Sequence, residues 1–143
     1  MNTSKVIFAS LIGAIINFLA GWIIYGILLK SPMEKAMTPE AISLNKPEPN
    51  LAGIFIAGVI TAFLIAYIFE RWAKINTFIG GLTAGGLLGL LFAAGMDIQI
   101  WSMVNMWSTP SYIFVDILST TVMWALIGGG IGWFLGRGRQ VKE

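Results

Sequence analysis

Asp116 is the residue with the clearest capacity for chemistry. It falls inside a long apolar run, in the stretch YIFVDILSTT, with Ser119, Thr120 and Thr121 close behind it. A carboxyl at membrane depth is costly to keep, and such residues mark substrate, ion or proton routes. Asp97 closes the preceding apolar run. Asn17 sits near the middle of the first run, and Tyr25 follows it toward the same side as the two acids. If they face inward, Asp116, Asp97, Asn17 and Tyr25 form a polar pocket open to one side of a membrane. A structural role is the favoured reading for each of them. Asp116 can cap its helix near the N-terminus, where the dipole favours an anion. Asp97 can be interfacial, and Asn17 can hydrogen-bond between helices.

Other chemistries are harder to support. The chain has no Cys and no His, which removes disulfides, thiolate nucleophiles and His-ligated metals. No phosphate-binding loop, dinucleotide fingerprint, metalloprotease helix or nucleophile elbow is present. Catalysis is therefore not the expectation, and no cofactor or metal is expected. The net charge is only +2. The bases lie in small groups at the ends of apolar runs, so they read as topology signals. Nucleic acid is not an expected partner.

The elements that must position these residues are plain. The chain has 143 residues, of which 57% are hydrophobic and 11% charged, with a mean hydropathy of +0.80. A soluble domain carries about 25% charge. Four runs, at about residues 6–29, 51–69, 76–96 and 112–135, are each close to the roughly 20 residues that cross a bilayer core. Backbone groups in lipid must be satisfied within the segment, so each run is predicted helical. The expected fold is all-α: a single domain with four transmembrane helices in a bundle, embedded in the lipid bilayer. Lys5, Arg71, Lys74, Arg137, Arg139 and Lys142 fall on one side, and Lys30, Lys35 and Lys46 on the other. The positive-inside rule then puts both termini in the cytoplasm. The expected location is the bacterial cytoplasmic membrane.

Two outer connections, about 32–45 and 97–111, carry apolar residues. In DIQIWSMVNMWSTPS, Ile100, Trp101, Val104 and Trp107 recur near helical spacing, with Met103 beside them. This predicts an interfacial helix with Trp at headgroup level. The alternative is a lid or partner-docking surface formed by Trp101, Met103 and Trp107. In the other connection, Ser31, Pro32 and Glu34 match a capping box with Pro at the first helical position, and Thr38-Pro-Glu repeats the start.

Seventeen glycines fall mostly inside the runs. Gly81, Gly85 and Gly89 are four apart, as are Gly128, Gly132 and Gly136. Each set makes a smooth helix stripe that lets backbones approach, as helix association in lipid requires. The stripes can pack within the chain, but four helices offer more small-residue faces than one small bundle needs, so a homo-oligomer or a complex with another membrane protein is the expectation.

The layout resembles an uncharacterised bacterial four-helix membrane family, one of the domains of unknown function. The resemblance rests on GWIIYG followed by LLKSPMEKAM, GGLTAGGLLG, the long outer stretch after Asp97, Asp116 early in the fourth run, and IGGGIGWFLG at its end. It covers nearly the whole chain and implies fold and membrane location, with no activity to carry over. Two functions from different classes remain. The leading one is a non-enzymatic scaffold or accessory subunit that binds lipid or a membrane partner. The other is a small oligomeric transporter or channel that uses Asp116.

Overall fold

The structure is a computed structural model and describes residues 3–137. Arg139 and Lys142, which contribute to the charge bias, lie outside the described residues. Helix α1 (Thr3–Gly21) runs directly into a π-helical stretch, Trp22–Leu28. Two short helices follow, α2 (Lys30–Ala36) and α3 (Pro39–Ser43). Helix α4 (Leu51–Ile68) ends in a second π-helical stretch, Phe69–Ala73. Helices α5 (Phe78–Met103) and α6 (Tyr112–Gly136) complete the elements among the described residues. Four continuous units, Thr3–Leu28, Leu51–Ala73, Phe78–Met103 and Tyr112–Gly136, are long and apolar enough to cross a membrane.

Local chemistry sets the helix starts. Asn50 Oδ1 accepts from Gly53 N at 3.0 Å, and Thr77 Oγ1 accepts from Gly80 N at 3.0 Å. Each satisfies a donor that the first turn leaves orphaned. Thr38 caps α3 in the same way, with Oγ1 accepting from Ala41 N at 3.3 Å. Ser31 does not cap α2. Leu29 stands at that position in right-handed helical backbone and makes no side-chain cap. The π-helical stretch delivers the chain into α2 already wound, so Ser31 lies inside the helix and needs no reversal.

The third unit does not stop at Met96. Helix α5 runs on to Met103, and Val104 turns extended at φ −137°, ψ 134°. Residues 97–103 therefore belong to the long helix rather than to a separate interfacial one. No Pro or Gly interrupts the chain between Gly95 and Met103, so continuing the helix keeps every backbone donor paired.

Packing proceeds in the order α4, α1, α6, α5. The extensive contacts are α5 with α6, α1 with α4, and α1 with α6, while α4 touches α6 more lightly. The molecule is thus two consecutive hairpins, α1–α4 and α5–α6, joined along α1 and α6. Phe69, Ile65, Ile127, Ile131, Leu135 and Val6 are fully buried where the hairpins meet. Large apolar side chains such as Phe8, Leu19, Leu64, Leu91, Phe114 and Leu118 stay exposed. In water such a surface would aggregate, whereas lipid covers it.

The glycine stripes meet each other. A Cβ on Gly81 would strike the carbonyl oxygen of Gly128, and one on Gly85 would strike that of Trp124. A Cβ on Gly132 would likewise strike the Thr77 carbonyl oxygen, and one on Gly136 that of Asn76. Gly89 faces the Trp124 side chain. Both stripes are consumed inside one chain. A homo-oligomer would therefore need some other surface, because neither stripe is free for a second copy.

The end that carries Lys5 and Arg137 also carries the turn between α4 and α5. Lys5 Nζ donates to the Arg137 carbonyl at 2.6 Å. At the opposite end, here the far end, residues 29–50 and 104–111 are hydrogen-bonded to each other. Thr38 N donates to Met106 O at 3.1 Å, and Ser108 N donates to Ala36 O at 2.8 Å. Thr38 Oγ1 donates to Asn105 O at 2.9 Å, and Ser108 Oγ lies 2.9 Å from Ala36 O. Met37 and Trp107 form an antiparallel bridge.

Candidate functional site

Polar side chains converge about one turn inside the far end. The π-helical stretch supplies Tyr25. Its i→i+5 bonding is closed by Leu29 N on Ile24 O at 2.8 Å. The wider turn changes the direction in which side chains leave the helix, and such segments recur at functional sites. The Tyr25 ring reaches across to α6, where its hydroxyl donates to Asp116 Oδ1 at 2.8 Å. The same hydroxyl lies 2.9 Å from Thr120 Oγ1. Asp116 and Thr120 are four apart, so α6 presents them on one face.

Asp97, on α5, faces Asp116 within the range at which their charges interact. Its Oδ2 is buried and has no hydrogen-bond partner among the described residues. Two carboxylates cannot donate to one another, so a proton or a cation between them would be the group that joins them. Asp116 does not cap its own helix. Ser111 holds the N-cap position without a side-chain bond, and the Asp116 carboxyl is engaged by Tyr25 instead.

Asn17 stands apart from the carboxyl pair. Its side chain packs on Gly58 of α4, where a Cβ would meet Nδ2 at 2.5 Å. It lines a cavity of about 790 Å³ between α1 and α4. Phe18, Trp22, Leu51, Ile54 and Met123 give that cavity its apolar wall, and Lys30 and Glu48 bring charge to it. Tyr25 lines the cavity too. It is therefore the side chain shared by the cavity and the carboxyl cluster.

The three residues read as a lid or docking surface lie elsewhere. None of Trp101, Met103 and Trp107 lines the cavity. Trp101 and Met103 are exposed at the end of α5, Met103 at 76%. Trp107 stacks on Tyr112, with ring centroids 6.2 Å apart, and its backbone bridges Met37.

A family model, described as "Protein of unknown function (DUF1761)", matches residues 8–132. The chain belongs to the DUF1761 family. The match reaches into all four long helices and includes both polar features of this DUF1761 member, the cavity and the carboxyl cluster. None of the curated proteins and none of the solved structures matches the chain.

Sequence reasoning missed Lys30, Glu48, Phe18 and Met123. Phe18 and Met123 read as ordinary apolar helix positions. Lys30 and Glu48 sit on the two sides of the outer connection, 18 residues apart in the chain, with no spacing that pairs them. Thr120 had a usable signal in its four-residue separation from Asp116.

Proposed function

We propose that this DUF1761 member is a non-enzymatic membrane subunit that binds an amphipathic, lipid-like molecule between α1 and α4. The observation that carries this reading is the cavity of about 790 Å³ with an apolar wall and few polar groups. That volume falls within the roughly 300–1,000 Å³ of small-molecule sites, and such a pocket is the default binding site of an uncharacterised fold. From Asn17 to Lys30 is 13 residues, on the order of 15–20 Å of helix. Half of a bilayer core is about 15 Å, so the cavity suits a molecule drawn from one leaflet. In a bacterial cytoplasmic membrane with both termini inside, that leaflet is the outer one.

Native mass spectrometry of protein extracted gently from its membrane tests this reading. The expected result is a retained small amphiphile, lost when Ile54→Trp fills the cavity. A chain that retains nothing, or retains the same species with the cavity filled, would overturn it.

A second reading is favoured by the carboxyl cluster. Tyr25, Thr120, Asp97 and Asp116 could carry a proton or cation as part of a transport cycle. Flux into vesicles containing the purified protein tests it. Asp116→Asn should abolish proton- or cation-coupled flux while leaving the helices assembled. Flux that survives the substitution, or wild-type vesicles without flux, would remove the reading.

A further inference from the structure

The charges on the cavity wall bear on which amphiphile it takes. Lys30 and Glu48 are the charged residues among those that line it. They approach from opposite sides, Lys30 opening α2 and Glu48 lying just before α4. Both are exposed at the far end, where lipid headgroups lie. Neither side chain forms an ion pair or hydrogen bond with another described residue. Glu34, Lys35, Glu40 and Lys46 share the same outer connection but do not line the cavity. The wall thus offers one positive and one negative group, unpaired, above an apolar shaft formed by Phe18, Trp22 and Ile54.

We propose that this site selects one zwitterionic phospholipid, with its phosphate against Lys30, its ammonium against Glu48 and an acyl chain in the shaft. The proposal rests on the lipid-binding reading above and adds the class of headgroup. An anionic lipid would satisfy Lys30 but bring its charge toward the Glu48 carboxylate. A lipid carrying only positive charge would meet the opposite conflict at Lys30. A zwitterion meets neither. The long methylene stem of Lys30 can lie along the apolar wall while its ammonium stays at headgroup level. Each exposed pair contributes little, so the preference is modest in size.

The test uses the purified full-length chain in nanodiscs of equal parts phosphatidylethanolamine and phosphatidylglycerol with matched acyl chains. The lipid retained after transfer to detergent is counted by native mass spectrometry. Wild type should retain the zwitterionic lipid over the anionic one by roughly three- to tenfold. Glu48→Lys should reverse the preference toward the anionic lipid. The charge swap, Lys30→Glu with Glu48→Lys, should restore the preference for the zwitterion. Soluble phosphoethanolamine, which lacks the acyl chain, should not displace the lipid. Ile54→Trp should lose both lipids, and Gly26→Phe provides a second filled variant should the first fail to elute as a folded species.

Retention that is lost on filling but shows no headgroup preference would overturn the zwitterion proposal and leave the cavity reading intact. Displacement by phosphoethanolamine would make the site one for a free headgroup and overturn the lipid assignment. Retention unchanged in both filled variants, or none in wild type, would overturn the cavity reading and this proposal together.

Discussion

The Tyr25 hydroxyl donates to Asp116 Oδ1 at 2.8 Å, joining residues 91 apart in the chain. This bond, with Thr120 beside it, holds the π-helical stretch of the first hairpin against α6 of the second. Tyr25→Phe removes the donor and leaves the ring in the cavity wall. The expected loss is roughly 0.6–1.5 kcal/mol. Thermal unfolding in detergent, run as a double-mutant cycle with Asp116→Asn, measures it. The two substitutions should be sub-additive, because each breaks the same contact. Full additivity would show that the hydroxyl and the carboxyl do not act together.

The glycine seam makes a position-specific prediction. A Cβ at Gly85 meets the backbone of α6, which has no rotamer through which to yield, whereas a Cβ at Gly95 has nothing within 4 Å. Gly85→Ala should cost about 1–3 kcal/mol, as overpacking does. Gly95→Ala should be neutral or slightly stabilising, since Ala is the better helix former. Unfolding midpoints for the two variants, measured side by side, decide the matter. Equal midpoints would mean that α5 and α6 are not in backbone contact.

At the far end, Met37 and Trp107 bridge in antiparallel register. Residues so paired have Cα atoms about 4.5–5.5 Å apart, within the range of a disulfide. Met37→Cys with Trp107→Cys should therefore crosslink on mild oxidation. The native chain has no Cys, so the band on a non-reducing gel has one interpretation. Adding Ser108→Ala, which removes the hydroxyl bonds to Ala36 and Met37, should slow the crosslink. A rate unaffected by Ser108→Ala would assign the alignment to the backbone bonds alone.

Orientation is testable in the same cysteine-free background. Ser4→Cys and Asn45→Cys place single thiols at opposite ends of the helices. A membrane-impermeant maleimide applied to intact cells should label Asn45→Cys and spare Ser4→Cys if the basic end is cytoplasmic. The reverse pattern would invert the topology.

Much of the architecture was legible in the primary structure, because lipid reduces the choices. Uncharged runs of sufficient length must be helices, and glycines four apart must offer a smooth face. The interior of the site was less legible. Asp116 is conspicuous as a charge in an apolar run, but nothing in GWIIYG says that its helix widens and directs Tyr25 toward that charge. The end of α5 was misread because Asp97 looks like a boundary. One carboxylate near the interface does not break a helix, and the backbone runs on to Met103. That Lys30 and Glu48 line one cavity depends on how the outer connection folds back, and that connection is hydrogen-bonded to residues 105–108. Contacts made by the backbone leave little trace in side-chain patterns.

The order of helix packing has a mechanical consequence. Within each hairpin, attraction is contact between small or apolar surfaces, which is short-ranged and without direction. The long-range hydrogen bonds named above, at Lys5, Tyr25, Thr38 and Ser108, all run from one hairpin to the other. The molecule therefore resembles two stiff leaves fastened by polar stitches, at one margin by Lys5 and toward the other by Tyr25, Thr38 and Ser108. The cavity lies in the first leaf, while its wall includes Tyr25, one of these stitches, and Met123 of the second leaf. A molecule that enters or leaves the cavity presses directly on the seam.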